Sequence, residues 1–278
     1  MSSIVWLASY PKSGNTWVRA FIHNYLEDSH EPADINSLDK YFADDSKPYW
    51  YEPHTDRPLS ELSIKEICEL RCRVHRDIAA SRQGSVIVKT HGYLGEYEGI
   101  PLHEMAVTAG AIYVVRNPLD VVLSLADHFG ISIDEAIAFM NDPATGSPTD
   151  EANVGSVLGS WSGHVESWTG TEGANLHLVR YEDLVDRPAK AFAGIVSFLN
   201  LGKNSPGIKK AVRFSSFQTL RNLEAKRGFV EKSPNSKRFF RSGRKNQWPS
   251  TLSRDQVAAL VDAHREQMSR FRYVPPGY

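Results

Sequence analysis

The sequence predicts an α/β fold, a three-layer sandwich whose central parallel sheet is flanked by helices. Three observations lead there. Short β-branched runs recur at 4–8, 86–89, 111–115 and 176–179, each followed by a loop and then a helix-like pattern, which is how βα units read in sequence. Two of the strand-to-helix junctions place glycine, serine or proline beside a cation. The 278 residues are 41% hydrophobic and 23% charged, the composition of a globular chain long enough to bury a substantial core.

Taken in order, the helical patterns span 16–26, 64–80, 119–129, 154–168, 189–199 and 255–271, the last capped by Ser253. Two long segments stand outside this alternation. Residues 31–58 mix acidic residues and prolines with Tyr49, Trp50 and Tyr51, and 225–249 is rich in Lys and Arg with little apolar periodicity. Long irregular loops of this kind tend to be lids or binding loops. No repeat, low-complexity tract or linker interrupts the chain, so residues 1–278 are expected to form one domain.

Charge narrows the functional classes. Lys+Arg 32 against Asp+Glu 33 leave a formal net charge of -1, so no global basic field exists to hold a nucleic acid and any anion site has to be local. Cys68 and Cys72 share a helix face with Ile64 and Ile67, and with no third cysteine they read as buried or half-buried thiols rather than metal ligands. The N-terminal apolar run lacks a basic n-region and is too short for a leader, and no apolar stretch approaches the roughly 18 residues of a membrane span. A cytoplasmic protein without membrane or nucleic-acid partners is expected.

The strongest local signal is Ser9-Tyr10-Pro11-Lys12-Ser13-Gly14-Asn15-Thr16-Trp17, directly after the first strand and before the first helix. Gly14 lets the backbone approach an anion closely; Ser13, Asn15 and Thr16 add donors, the helix N-terminus adds its dipole and Lys12 a full charge. It is not a Walker A loop, because Lys12 precedes Gly14 and no glycine occupies the start of the loop. The alternative is a tight turn with an incidental lysine. A second strand-turn-helix stretch runs from Tyr113 to Ser124, where Arg116 can fork onto a phosphate and Ser124, two turns into the helix, can point to the same side; alternatively Arg116 pairs with Asp120 at an ordinary helix start. Between them, the strand ending in Lys89-Thr90-His91 delivers a cation and an imidazole, the side chain able to take a proton near neutral pH, to the end of the sheet where ligands bind.

These stretches resemble, one after another, the motifs of the cytosolic-type sulfotransferases, in a bacterial-like form. The first is similar to the family's 5′-phosphosulfate loop Y-P-K-S-G-T-x-W, with Asn15 in place of Thr, and Arg116-Asn117-Pro118 through Ser124 to its 3′-phosphate segment R-N-P-x-D-V-x-x-S. Lys89-Thr90-His91 resembles the K-T-H segment, Tyr181-Glu182-Asp183-Leu184 the Y-E-D-M/L segment whose Tyr packs on adenine, and Ser215-Ser216-Phe217 the T-S-F step. Residues 239–248 look like the R-K-G-x-x-G-D-W lid, keeping Arg241, Gly243 and Trp248 but carrying Ser242, Asn246 and Gln247 where the family has Lys, Gly and Asp. Those departures bear on the lid's geometry.

The resemblance implies a P-loop-NTPase-like architecture and the co-substrate 3′-phosphoadenosine-5′-phosphosulfate (PAPS), with 3′-phosphoadenosine-5′-phosphate (PAP) as product and no metal. It gives His91 the role of base, Lys12, Lys89 and Ser124 supporting catalytic roles, and assigns Lys12, Ser13, Gly14, Asn15, Thr16, Trp17, Arg116, Ser124, Tyr181, Ser215, Phe217, Arg241, Ser242 and Gly243 to the nucleotide. A nucleotide or adenylylsulfate kinase is the main alternative and would want a Walker A loop and Mg²⁺; a non-catalytic nucleotide-binding module would not need His91. The acceptor stays open among phenols, alcohols, glycans and peptide scaffolds. Tyr49, Trp50, Tyr51, Phe129, Phe139 and Met140 are either its pocket or core residues. No clear match to the family's C-terminal dimerisation motif is present, and the oligomeric state is not legible.

Overall fold

The computed structural model describes residues 2–170, 175–202 and 204–278. The N-terminal half carries β1 (Ser3–Ser9), α1 (Asn15–Glu27), β2 (Phe42–Asp44), α2 (Pro48–Tyr51), α3 (Ile64–Ala80), β3 (Ser85–Thr90), the short β4 (Glu96–Tyr97) and β5 (Ile100–Pro101), then β6 (Thr108–Val115), α4 (Pro118–Phe129) and α5 (Ile133–Asn141). There follow β7 (Gly146–Ser147), β8 (Ser156–Val157), α6 (Trp161–Thr169), β9 (Leu176–Arg180), α7 (Tyr181–Asp186), α8 (Pro188–Phe198), α9 (Ser205–Phe214), α10 (Phe217–Arg227) and α11 (Arg254–Arg270).

The expected architecture is present: a five-stranded sheet in the order β2-β3-β1-β6-β9, with β1 and β2 each parallel to β3 and helices between the strands. In β6 every residue from Gly110 to Val115 is buried, the continuous burial of a strand covered on both faces. The register sets Trp6 beside Val88 and Asp44 beside Lys89. Helix ends follow their capping chemistry. Ser63 with Glu66 closes a capping box on α3, and Ser253 with Gln256 closes another on α11, as Ser253 predicts.

The structure corrects several expectations. The helix predicted over 154–168 begins only at Trp161, because Gly155 and Gly159 interrupt the pattern; residues 156–157 pair with β7, Gly159 turns the chain at φ 68, and Ser160 caps α6 through Gly163 N–H. The segment 31–58 is not all loop. It contains β2, whose Phe42 and Ala43 are buried at the edge of the sheet, and α2. α5, α7, α9 and α10 are further helices beyond the predicted set, and 225–249 begins with the end of α10 before turning irregular. Cys68 is buried and Cys72 half-buried, both as free thiols. No helix among the described residues is long and apolar enough to cross a membrane.

The chain divides into two compact units: one of residues up to Tyr10 with Phe42–Tyr113 and Phe139–Leu176, the other of Pro11–Tyr41, Val114–Ala138 and His177–Tyr278. The first packs α3 on β1 and β3 around the fully buried Trp6, Ile67, Val74 and Ile78. In the second, Phe21 of α1 stacks on Phe192 of α8 at 4.0 Å, and Ala20, Ile35, Leu38, Leu220, Phe229 and Phe240 form a separate apolar cluster under the segment after α10.

Candidate active site

In the second unit, Lys12 at φ 66 and Gly14 at φ 109 fold the loop before α1 into two left-handed residues, a conformation that turns successive backbone N–H groups to one side. Among the described residues no side chain caps α1 and no acidic residue lies in its first turn, so nothing there offsets the positive end of the helix dipole. Ser13 is 1% exposed, yet its hydroxyl has no hydrogen-bond partner among the described residues; Trp17 Nε1 and Arg116 Nε are buried and unpartnered in the same way. Such donors are costly to bury unless something accepts from them. Thr16 Oγ1 instead donates to Glu231 Oε2 at 3.3 Å, a carboxylate also held by Arg19 at 2.6 Å.

Arg116, at the end of β6, knits this loop together. Its Nη1 donates to the Lys12 carbonyl at 2.9 Å and its guanidinium lies 4.2 Å from the centre of the Tyr181 ring. That ring in turn leans on Gly14, where a Cβ would sit 2.8 Å from it, so Gly14 is required by both its φ and this contact. Trp17 meets Tyr181 edge-on at 5.7 Å. The Lys12 ammonium is 3.3 Å from His128 Nδ1 and 4.3 Å from the centre of the Phe239 ring. Burial pushes its pKa down to about 8, Arg116 and Arg241 push the same way, and Asp127 and Glu231 oppose them.

Asp120 does not pair with Arg116. Its carboxylate accepts from the backbone N–H groups of Asn246 at 2.6 Å, Gln247 at 2.8 Å and Trp248 at 3.2 Å, while Glu224 accepts from those of Phe239 at 2.6 Å and Phe240 at 3.0 Å. The segment carrying Arg241, Ser242 and Gly243 is thus gripped at both ends. Gly243 sits at φ 63 with its α-carbon against the Phe217 ring, where a Cβ would collide. Ser215 is fully buried and its hydroxyl donates to the Ala211 carbonyl, whereas Ser216 caps α10. Ser124 is half-buried on α4, one turn before His128. Arg241 is exposed and Lys245 pairs with Asp186.

In the first unit, β3 ends in Lys89 and Thr90, and His91 follows directly. His91 Nδ1 lies 2.7 Å from the Ser9 carbonyl, which can only accept, so Nδ1 carries the proton and the ring's lone pair is on Nε2. Helix α6 braces the following loop: His164 Nε2 donates to the His91 carbonyl at 3.0 Å, Trp168 Nε1 to that of Gly92 at 2.9 Å, and Leu94 N–H reaches Ser167 at 3.1 Å. Burial drives the His164 pKa down to about 3, so its ring is neutral and accepts from Tyr113 at 2.8 Å. Lys89 pairs with Asp44 at 2.8 Å. Burial opposes ionisation of Asp44, but the Lys89 charge and hydrogen bond, with donations from Ser46, hold its carboxyl well below the usual range.

Against known proteins, residues 2–272 match the sulfotransferase domain. The chain belongs to the sulfotransferase family. It is 24% identical over 284 residues to flavonol 4′-sulfotransferase of Flaveria chlorifolia, covering 93% of this chain and 76% of that one. Among solved structures it resembles a mouse sulfotransferase complexed with PAP, at TM-score 0.62 and 20% identity over 96% of this chain and 84% of that one. It also resembles retinol dehydratase in complex with androsterone and PAP, at TM-score 0.64 and 18% identity, covering 95% and 80%.

In this sulfotransferase, several contributors lie outside the motifs that predict the site. His128, Glu224, Glu231 and the α6 residues His164, Ser167 and Trp168 have no motif of their own; Ser160 and Gly163 at the start of α6 are the nearest local signal, through the cap they form. Of the aromatic candidates, Tyr51 and Met140 are core, Tyr51 donating to the Asp45 carbonyl, while Tyr49 is 56% exposed and Phe129 39% exposed. Among the described residues no group of three or more His, Cys, Asp or Glu is placed to hold a metal.

Proposed function

We propose that the protein is a single-domain cytoplasmic enzyme that moves the sulfuryl group of PAPS to a hydroxyl of a small-molecule or glycan acceptor. The observation that carries the reading is the loop before α1: an uncapped helix N-terminus with Ser13 Oγ, Trp17 Nε1 and Arg116 Nε buried without acceptors. A multiply charged phosphosulfate supplies the acceptors that those donors want. Lys12, Arg116 and Arg241 bring the positive charge, so transfer is expected to proceed without a metal ion. Relatives that act on a flavonol, or hold androsterone, support an acceptor of that size.

In the proposed reaction His91 Nε2 takes the proton of the acceptor hydroxyl, whose oxygen forms the new bond to sulfur. The bond from sulfur to the 5′-phosphate oxygen breaks, and Lys12 stabilises the charge that develops on that oxygen. Nδ1–H to the Ser9 carbonyl holds the base in the correct tautomer and steadies the imidazolium that results. Lys89, at the end of the same strand, adds a donor and a charge shared with Asp44, and Ser124 and Arg241 hold the 3′-phosphate.

The test is turnover of PAPS to PAP against a panel of phenols, alcohols and glycans, with His91→Ala alongside. Wild-type turnover with one acceptor class is expected, falling at least ~10²-fold in His91→Ala while PAP still binds. Loss of PAP affinity in that variant instead would make His91 a structural residue and overturn its role as base.

A further inference from the structure

We propose that His128 is a positioning residue of the reaction, its Nδ1 accepting a hydrogen bond from the Lys12 ammonium and so fixing the direction in which Lys12 presents its remaining donors. The inference rests on the assignment of Lys12 to the sulfuryl-donor loop.

A lysine side chain has four rotatable bonds, and leaving it unguided costs entropy each time it must engage a phosphate oxygen. Here both ends are fixed. The backbone is held by the left-handed φ of 66 and by the Arg116 contact to the Lys12 carbonyl, and the ammonium is held 3.3 Å from His128 Nδ1 with the Phe239 ring across it at 4.3 Å. An ammonium only donates, so His128 Nδ1 is the acceptor and its proton lies on Nε2. His128 follows Ser124 by four residues, which places both on one face of α4.

The charges facing Lys12 explain why a neutral acceptor suits this place. His128 and Asp127 face it from α4, Arg116 from the end of β6, and Glu231 and Arg241 from the segment after α10. Two cations and two carboxylates nearly cancel. A third carboxylate in place of His128 would hold the ammonium in an ion pair that competes with the phosphate, whereas an imidazole gives direction without that competition. Burial, and then the charge of Lys12, push His128 down to about 4, so it stays a neutral acceptor across the range where the enzyme is expected to work.

The experiment is the affinity of PAP by calorimetry between pH 7 and 9.5 for the wild type, His128→Leu, His128→Asn and Lys12→Ala, each checked for an unchanged melting transition at pH 7.5. In the wild type, affinity should fall as Lys12 loses its proton. His128→Leu removes the acceptor from the charged form, so the midpoint of that fall should move ~1 unit lower and affinity at pH 7.5 should drop about three- to tenfold. His128→Asn, whose Oδ1 offers an acceptor near the place of Nδ1, should restore most of both. A wild-type profile in His128→Leu, or equal loss in Leu and Asn, would overturn the role of His128. Lys12→Ala should bind more weakly and lose the fall altogether; an unchanged profile there would instead overturn the assignment of Lys12 itself.

Discussion

Lys12 joins a full positive charge to a strained backbone position at the start of α1, and its lowered pKa sets a testable limit on activity. With that pKa near 8, the ammonium is present below pH 8 and lost as the pH rises through it, so kcat/KM for PAPS should decline on the alkaline side with a midpoint near 8. A flat profile to pH 9.5 would show that the charge of Lys12 is not used. At this scale the residues of the candidate site that lie at strand-to-helix junctions, Lys12, Ser13, Gly14 and Arg116, were legible, because glycine, serine and a cation at such a junction are what an anion cradle is built from. Asp120 was not. Sequence offers Arg116 as its partner four residues away, but its carboxylate is taken by the amides of 246–248, and backbone N–H groups carry no side-chain signature. Ser215 shows the same limit from the other side, its hydroxyl being spent on the Ala211 carbonyl of its own helix end.

The segment from Phe239 to Trp248 has little regular structure and depends on two carboxylates, Asp120 and Glu224, for its position. Asp120→Asn replaces an acceptor with an amide that faces three N–H groups and can satisfy only part of them. It should destabilise the segment by about 2–3 kcal/mol and weaken PAP at least ~10-fold, with faster hydrogen exchange at 246–248. Exchange and affinity both at wild-type values would mean that the carboxylate does not hold the segment. At the edge of the sheet, Lys89→Ala leaves the half-buried Asp44 without its charge partner, and the melting temperature should fall by several degrees; an unchanged transition would show that the pair adds nothing to the fold. Elements with clear periodicity, such as α3 and α11, were readable with their caps. β2 is hidden because three residues cannot establish an alternation, and the sequence extends α6 too far because Val154 and Val157 fit a helical pattern, whereas 156–157 pair with β7 and Gly159 turns the chain at φ 68.

Across the whole molecule, burial holds seven of the ten histidines below their ordinary pKa: His23, His75, His103, His128, His164, His177 and His264. Each such group binds its proton at a lower pH in the fold than in the unfolded chain, so the unfolded state binds more protons below about pH 6.5 and stability falls as the pH drops. Each histidine still neutral at pH 5 weakens the fold by about 2 kcal/mol there, and the melting temperature should be at least ~10 °C lower at pH 5 than at pH 7. Equal transitions at the two pH values would mean that these rings are not buried as described. With a net charge of -1, the chain has no general attraction for anions, so the proposed nucleotide recognition rests on local donors, those around α1, α4 and the 239–248 segment. The most direct measurement is calorimetric titration of PAP into the purified protein without divalent metal, with AMP as the control. Tight binding of PAP with little or none of AMP is the predicted result, because Arg116, Ser124 and Arg241 are assigned to the 3′-phosphate. Equal binding of the two, or no binding of PAP, would contradict that assignment and the sulfuryl-transfer mechanism built on it.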